Sequence, residues 1–146
     1  MTNVTAYLCV DGADAALDFY RRAFGAEELY RLAMDDGAIG HAEMRIGDTR
    51  LMLSDEWPDG GVVGPHRQDG SSTSFAITVD GVEAHDAMWA AALAAGALVE
   101  REPEDQFYGH RTGTVIDPFG HRWSISAVVE DVSPTEMQRR MAAMDG

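Results

Sequence analysis

The chain has 146 residues, with 11 Lys+Arg against 25 Asp+Glu, so its formal net charge is −14 when histidine is neutral. This length fits one domain of about 100–200 residues, or two small fused modules. A nucleic-acid-binding protein normally presents a basic surface, so the acidic balance argues against a nucleic-acid partner. Every basic residue is arginine, which excludes Schiff-base chemistry on lysine.

The sequence also indicates where the protein works. The single cysteine, Cys9, cannot form an internal disulfide, which is typical of a reducing compartment. The first residues lack the basic and apolar regions of a signal peptide. The longest apolar stretch, 87–99, is shorter than the ~20 residues that a membrane-spanning helix needs. We therefore expect a cytoplasmic protein with no membrane partner.

The predicted elements repeat with an offset of about 70 residues. Val-Asp-Gly follows a strand-like run at 10–12 and again at 79–81. The first copy predicts a strand, a helix and three strands, at 4–10, 12–24, 27–33, 39–46 and 50–54. The second copy predicts the same order, at 72–79, 82–95, 97–101, 111–116 and 122–127.

Capping residues mark the ends of these helices. Asp11 and Asp80 stand where an N-cap residue is expected, each with an acidic residue three positions later. Gly25 and Gly96 follow the last helical turns, where a left-handed C-cap residue is expected. Ser133 is the predicted N-cap of one further helix, because proline follows it directly.

This pattern predicts an α+β fold of two tandem βαβββ modules plus a C-terminal helix. We expect one domain at 1–128, made of module 1 at about 4–55, a Gly- and Pro-rich connector at 56–71 and module 2 at about 72–128. A helical extension follows at 129–146. Its methionines at 137, 141 and 144 form a stripe, which we expect to pack on the chain itself or on a dimer partner.

Four segments carry a family resemblance: YLCVDGADAALDFYRRAFGAEE (7–28), GHAEMRIGDTRLMLSDE (40–56), DQFYGHR (105–111) and DPFGHRW (117–123). With the paired modules, they resemble the glyoxalase / bleomycin-resistance / extradiol-dioxygenase superfamily, also called the vicinal oxygen chelate superfamily. Within it, the chain looks like an uncharacterised bacterial glyoxalase-like branch. The resemblance implies a homodimer and a curved, cleft-bearing mixed sheet with the helices outside. The superfamily holds lyases, isomerases, dioxygenases, thiol transferases and drug-binding proteins, so fold alone does not choose the function.

The resemblance also implies where a metal would bind. Metal enzymes of the superfamily place His, Gln or Glu on the first and last strands of each module. The matching positions here are near Thr5, Met52, Ser74 and Ser124. A divalent first-row metal prefers imidazole, carboxylate or thiolate ligands. We therefore predict no metal at these positions and no cofactor, and a relocated divalent metal is the alternative.

Strand alternation selects residues that face the cleft. Those predicted to contact a ligand from the strands are Tyr7, His41, Glu43, Met52, Ser54, Arg122 and Ser124. His41 and Glu43 stand two residues apart on one strand, so their side chains share a face. They are candidates for a metal-ligating pair, an acid–base pair, a polar ligand contact or a solvated pair. Catalytic residues are otherwise unknown.

Two loop segments add further candidates. Phe107 and Tyr108 can stack on a planar ligand while Arg111 pairs with its anionic group. Alternatively, Asp105 and Arg111 form an ion pair around a turn that Phe107 anchors. Trp57 either caps the ligand at the mouth of the cleft or anchors a loop.

Three functions follow from these residues. The first is a small-molecule-binding protein that resembles bleomycin-resistance proteins and lacks the usual metal ligands. The second is an enzyme of the same superfamily, of the lyase, isomerase or dioxygenase type, with a relocated metal or a metal-free acid–base site at His41 and Glu43. The third is an interaction module without a small ligand. Arginines near the cleft favour anionic or carbonyl-bearing ligands, although the net charge alone favours cationic ones.

Overall fold

A computed structural model describes residues 1–145. Their strands and helices are β1 (Tyr7–Val10), α1 (Ala13–Phe24), β2 (Glu27–Ala33), β3 (Ile39–Ile46), β4 (Thr49–Asp55), α2 (Pro65–Gln68), β5 (Ser74–Val79), α3 (Val82–Ala95), β6 (Leu98–Asp105), β7 (His110–Ile116), β8 (Arg122–Val128) and α4 (Pro134–Met144). The predicted repeat is confirmed, and most boundaries agree within one or two residues. The exceptions are β1, which begins three residues late, and β6, which extends four residues further. No helix among residues 1–145 has both the length and the apolar character needed to cross a membrane.

Each module builds its own four-stranded mixed sheet. The strand orders are β1-β4-β3-β2 and β5-β8-β7-β6. In both sheets the first strand runs parallel to the last strand, and the remaining pairs are antiparallel. The predicted α+β fold with two βαβββ modules is therefore confirmed. Within one chain the implied curved sheet is divided into two, because the described strands include no hydrogen-bonded pair between β1 and β5.

The predicted N-caps of α1 and α3 are wrong. Gly12 rather than Asp11 is the N-cap of α1, and its φ of 106° lies in the left-handed region that favours glycine. Asp55, at the end of β4, satisfies the free N–H groups instead, because its Oδ1 accepts from Gly12 N at 2.9 Å and from Ala13 N at 2.7 Å. The N-cap of α3 is likewise a glycine, Gly81, and no side chain caps that helix. In module 1 the start of the helix is therefore capped by a side chain from a distant strand and not by a neighbouring residue.

The other predicted caps are confirmed. Gly25 and Gly96 are left-handed C-caps of α1 and α3. Ser133 caps α4, because its Oγ accepts from Glu136 N at 3.2 Å. Arg140 attaches α4 to the rest of the chain through Nη1, which donates to the Phe107 carbonyl at 2.9 Å. No described residue of α4 is fully buried: Met137 is half-buried, and Met141 and Met144 stay exposed within the chain.

Helix α1 joins the two modules. It packs on its own sheet and on α3, and its Phe24 and Tyr20 rings lie 4.7 and 5.4 Å from the Trp123 ring of β8. The Tyr20 hydroxyl donates to Asp117 at 2.5 Å, and Trp123 Nε1 donates to the same oxygen at 2.9 Å. Helix α1 therefore contacts the helix-packed side of both sheets.

Candidate functional site

The helix-free face of module 1 brings together five of the predicted ligand-contacting residues. In the parallel pair of β1 and β4, Tyr7 lies opposite Met52, and Met52 also lies opposite Glu43 of β3. His41 and Ser54 share this face because side chains alternate along each strand. Met52 thus forms an apolar floor between Tyr7 and the His41–Glu43 pair.

The carboxylate of Glu43 is the most enclosed polar group on this face. Glu43 is only 5% exposed, and its Oε2 accepts hydrogen bonds from the Tyr30 hydroxyl and from His41 Nε2, the latter at 3.0 Å. Arg50 Nη1 lies 3.3 Å from Oε1. The Tyr30 hydrogen bond, followed by that of His41, lowers the pKa of Glu43, so this group stays a carboxylate at neutral pH.

The ionised carboxylate determines which nitrogen of His41 carries the proton. A carboxylate only accepts hydrogen bonds, so His41 Nε2 must donate to Glu43. Nδ1 of the neutral ring is then an acceptor, and the Tyr7 hydroxyl, 2.7 Å away, donates to it. Tyr7, His41 and Glu43 therefore form a directed chain of hydroxyl, imidazole and carboxylate.

Tyr30 belongs to this site, and the sequence reasoning missed it. It lies on β2, opposite Glu43 in the antiparallel pair of β2 and β3. The register of that pair shifts between Glu28 and Tyr30. Such a shift changes which side chains share a face, so alternation alone did not reveal Tyr30.

Cys9 lies on β1, next to Ser54 of β4. Burial, and then the negative charge of Glu56, raises the pKa of this thiol to about 11. The thiol is therefore protonated at neutral pH, whereas the thiolate is the nucleophile and the metal ligand. Cys9 contributes a small apolar group to the face.

The helix-free face of module 2 is rich in hydroxyl groups. Ser124 of β8 lies opposite Thr114 of β7, and Ser126 lies opposite Thr112. Thr112 Oγ1 and Ser126 Oγ are 2.8 Å apart, and the Tyr108 hydroxyl donates to Thr112 at 3.4 Å. Tyr108 and Ser124 therefore share one polar surface, which lies on the other sheet from Tyr7.

Two arginines of module 2, Arg111 and Arg122, have carboxylate partners within the chain. Arg122 pairs with Glu100, and Arg122 Nε donates at 2.8 Å. Arg111 Nε donates to Asp105 at 2.8 Å, so the predicted ion pair around the turn is confirmed. Because Thr112 faces the hydroxyl-rich surface, Arg111 points to the side that carries α3. Arg111 and Ser124 thus lie on opposite faces of one sheet.

The two loop aromatics lie outside the strands that form the module 1 face. Phe107 is in the turn between β6 and β7, where its carbonyl accepts from Arg140. Trp57 is exposed in the connector, and its backbone pairs with Val62 in an isolated bridge. A side chain at Gly60 would come within 2.3 Å of the Trp57 ring, so this ring covers the connector's own backbone. Trp57 therefore packs against its own loop.

The residues present do not fit the metal-ligand set of the superfamily's metal enzymes. Across residues 1–145, no three His, Cys, Asp or Glu side chains are grouped to hold a metal ion. The matched strand positions offer hydroxyl and thioether groups, which are poor ligands for a divalent first-row metal. His41 and Glu43 contact each other and have no third ligand of this kind beside them.

The chain is an α+β protein built from two βαβββ modules, and each module has one sheet face that no helix covers. The chain belongs to the Glyoxalase/Bleomycin resistance protein/Dioxygenase superfamily, whose sequence profile matches residues 3–125. It is 40% identical over 143 residues to the uncharacterized protein Mb0911c of Mycobacterium bovis, covering 96% of this chain and 92% of that protein. It is 28% identical over 142 residues to protein YjdN of Escherichia coli, covering 83% and 90%. The solved structure of a glyoxalase-related enzyme from Fulvimarina pelagi matches with a TM-score of 0.70 at 22% identity, covering 87% of this chain and 88% of that one, which is a likeness of fold.

Proposed function

We propose that this chain is a small-molecule-binding protein that holds its ligand on the helix-free face of module 1, without the usual metal-ligand set. The observation that carries the proposal is the enclosed carboxylate of Glu43, held by Tyr30, His41 and Arg50. A buried carboxylate is costly unless several donors surround it, so this face is an organised polar site. A merely solvated sheet face requires no such arrangement.

The exposed groups of the site favour a ligand with a carbonyl or anionic group. Arg50 balances the charge of Glu43 and keeps 62% of its own side chain exposed, so it has donors left for a ligand. Tyr7 is a second exposed polar residue, and Met52 offers apolar surface between Tyr7 and Arg50. The acidic exterior then serves solubility and does not select the ligand.

Ligand binding is tested by a thermal-shift screen with aromatic compounds that carry a carbonyl or carboxylate group. A ligand that binds only the folded state stabilises it by about 2.7 kcal/mol at 100 times its Kd, which raises the unfolding midpoint. We expect Arg50→Gln to abolish the shift. Arg21→Gln, which breaks a comparable surface ion pair with Asp18, is the matched control and should keep it. The proposal fails if no compound raises the midpoint or if Arg50→Gln responds as the unmodified chain does.

We also propose that the chain works as a homodimer that completes the cleft. Within one chain both sheets contact α1 on their helix-packed sides, so we infer that their helix-free faces point away from each other. A cleft with walls from both modules therefore needs the module 1 face of one copy against the hydroxyl-rich face of a second. In that arrangement Tyr108, Arg122 and Ser124 of one copy lie across from Tyr7 of the other. The uncovered side chains of Met141 and Met144 supply further apolar surface for a partner.

Light scattering measures this assembly. We expect a mass of twice the 15.9 kDa of the chain. Ala76→Arg places a cation on the open edge strand β5 and should yield the single-chain mass. Ala15→Arg, on the exposed side of α1, is the control and should remain dimeric. A single-chain mass for the unmodified protein contradicts the proposal.

The second candidate function is an enzyme of the same superfamily that uses a metal-free acid–base site. The 3.0 Å contact between His41 and Glu43 favours it, because a carboxylate that orients an imidazole is a common arrangement for general-base catalysis.

A further inference from the structure

Tyr7 is the exposed end of the hydrogen-bond chain on module 1. We propose that His41 and Glu43 activate the Tyr7 hydroxyl as a nucleophile, and that the site accepts an activated acyl compound such as an ester or thioester. This inference rests on the proposed ligand face, to which it adds a reacting atom and a substrate class. Glu43 is the positioning residue, since it acts through His41.

The geometry meets the requirements for an activated hydroxyl. Such a site needs nucleophile and base within about 2.6–3.2 Å and a third group that orients the base. Tyr7 Oη lies 2.7 Å from His41 Nδ1, and His41 Nε2 lies 3.0 Å from Glu43. The carboxylate end is enclosed, whereas Tyr7 is 52% exposed. The base is thus oriented by a hydrogen bond to an enclosed carboxylate, while Tyr7 itself lies at the exposed end of the chain of hydrogen bonds.

The step balances without any further reactant. Tyr7 Oη attacks the electrophilic carbonyl carbon, and its proton moves to His41 Nδ1. The new bond is an ester between Tyr7 Oη and the acyl carbon, and the bond to the leaving alcohol or thiol breaks. That leaving group takes the proton from His41, which returns to its neutral form. Glu43 stabilises the imidazolium in between, and no electron is gained or lost overall.

Tyr30 offers a comparison within the same site. Its exposure, 43%, is close to that of Tyr7, and its hydroxyl also belongs to the hydrogen-bond network of Glu43. Tyr30 donates directly to the carboxylate, and that hydrogen bond raises its pKa. The two phenols therefore differ in two respects, because only Tyr7 has an imidazole to accept its proton and only Tyr30 donates directly to the carboxylate. Tyr7 is expected to be the reactive one.

Site-resolved acetylation with p-nitrophenyl acetate tests the inference. The full chain is treated briefly, digested and analysed by mass spectrometry, so that acetylation is measured separately at Tyr7 and Tyr30. A general base contributes about 10²–10⁴-fold, so we expect Tyr7 to react at least 100-fold faster than Tyr30. His41→Gln should lower the Tyr7 rate by a similar factor and leave Tyr30 unchanged. Unfolding midpoints verify that each variant is folded.

The Glu43→Gln variant distinguishes the positioning of His41 by Glu43 from a general loosening of the site. Without the carboxylate, His41 loses its orientation and Tyr7 should slow. Tyr30 loses the hydrogen bond that raises its pKa and should react faster. Opposite changes at the two tyrosines support the inference. It is overturned if both react faster in Glu43→Gln, if Tyr7 reacts no faster than Tyr30, or if His41→Gln leaves Tyr7 unchanged.

The two proposals fail separately. Acetylation requires no natural ligand. An unreactive Tyr7 therefore overturns the proposed activation of Tyr7, even when carbonyl compounds still raise the unfolding midpoint. A reactive Tyr7, combined with no shift of the unfolding midpoint in the ligand screen, supports the activation of Tyr7 and contradicts the binding proposal.

Discussion

Replacing Asp117 with alanine is expected to lower the free energy of unfolding by about 3–5 kcal/mol, measured by urea denaturation. Asp117 is 2% exposed and accepts four hydrogen bonds. Two come from the Tyr20 hydroxyl and Trp123 Nε1, and two from the backbone N–H groups of Phe119 and His121. Each buried donor left without a partner costs about 1–3 kcal/mol, and partial relaxation reduces the total.

The Asp117→Ala substitution removes hydrogen bonds to both modules, because Tyr20 belongs to α1 and Trp123 to β8. Burial, and then the charge of Asp117, raises the pKa of Tyr20 well above its usual range, so Tyr20 keeps its proton and remains a donor. Asp48→Ala, in the exposed turn between β3 and β4, is the matched control and should change stability by less than about 0.5 kcal/mol. Equal effects at the two positions contradict the prediction.

Replacing Asp55 with alanine is expected to cost about 2–4 kcal/mol, the second largest effect. Its carboxylate accepts from the backbone N–H groups of Gly12 and Ala13 at the start of α1. Its other oxygen accepts from Ile39 N, at the start of β3, at 2.7 Å. One side chain therefore joins the beginnings of two elements to the end of β4.

Asp11→Ala is the informative control for this variant. Asp11 is the cap that local pattern predicts, yet it is exposed and the helix uses Asp55 instead. We expect a change below about 0.5 kcal/mol in the same urea experiment. A larger loss at Asp11 than at Asp55 shows that the helix is capped locally, and the tertiary explanation is then wrong.

The two modules show why elements were predictable and some contacts were not. Helix α3 was predicted at its observed bounds because a strand before it and a glycine C-cap after it are local signals. The face occupied by His41 and Glu43 followed from alternation along one strand. Both inferences depend only on neighbours in the sequence.

Contacts between distant segments depended on the fold. Tyr30 meets Glu43 because of a register shift, and Asp55 reaches α1 because β4 runs beside β1. Arg111 was placed at the cleft from its motif, but β7 turns it toward Asp105 and the α3 side. In each case the outcome depended on how two elements pair or pack, which no local pattern records.

The sequence by itself determined the two-module α+β architecture and the shared face of His41 and Glu43, because periodicity and turn residues act over a few positions. The resemblance to the superfamily came from its motifs. Only the tertiary structure decided that α1 contacts both modules, that Glu43 is enclosed by Tyr30 and Arg50, and that Tyr7 donates to His41. The physical reason is that burial and hydrogen-bond direction depend on side chains from several strands at once. The −14 charge marks an acidic exterior, whereas the chemistry of the site comes from a few donors grouped around one carboxylate.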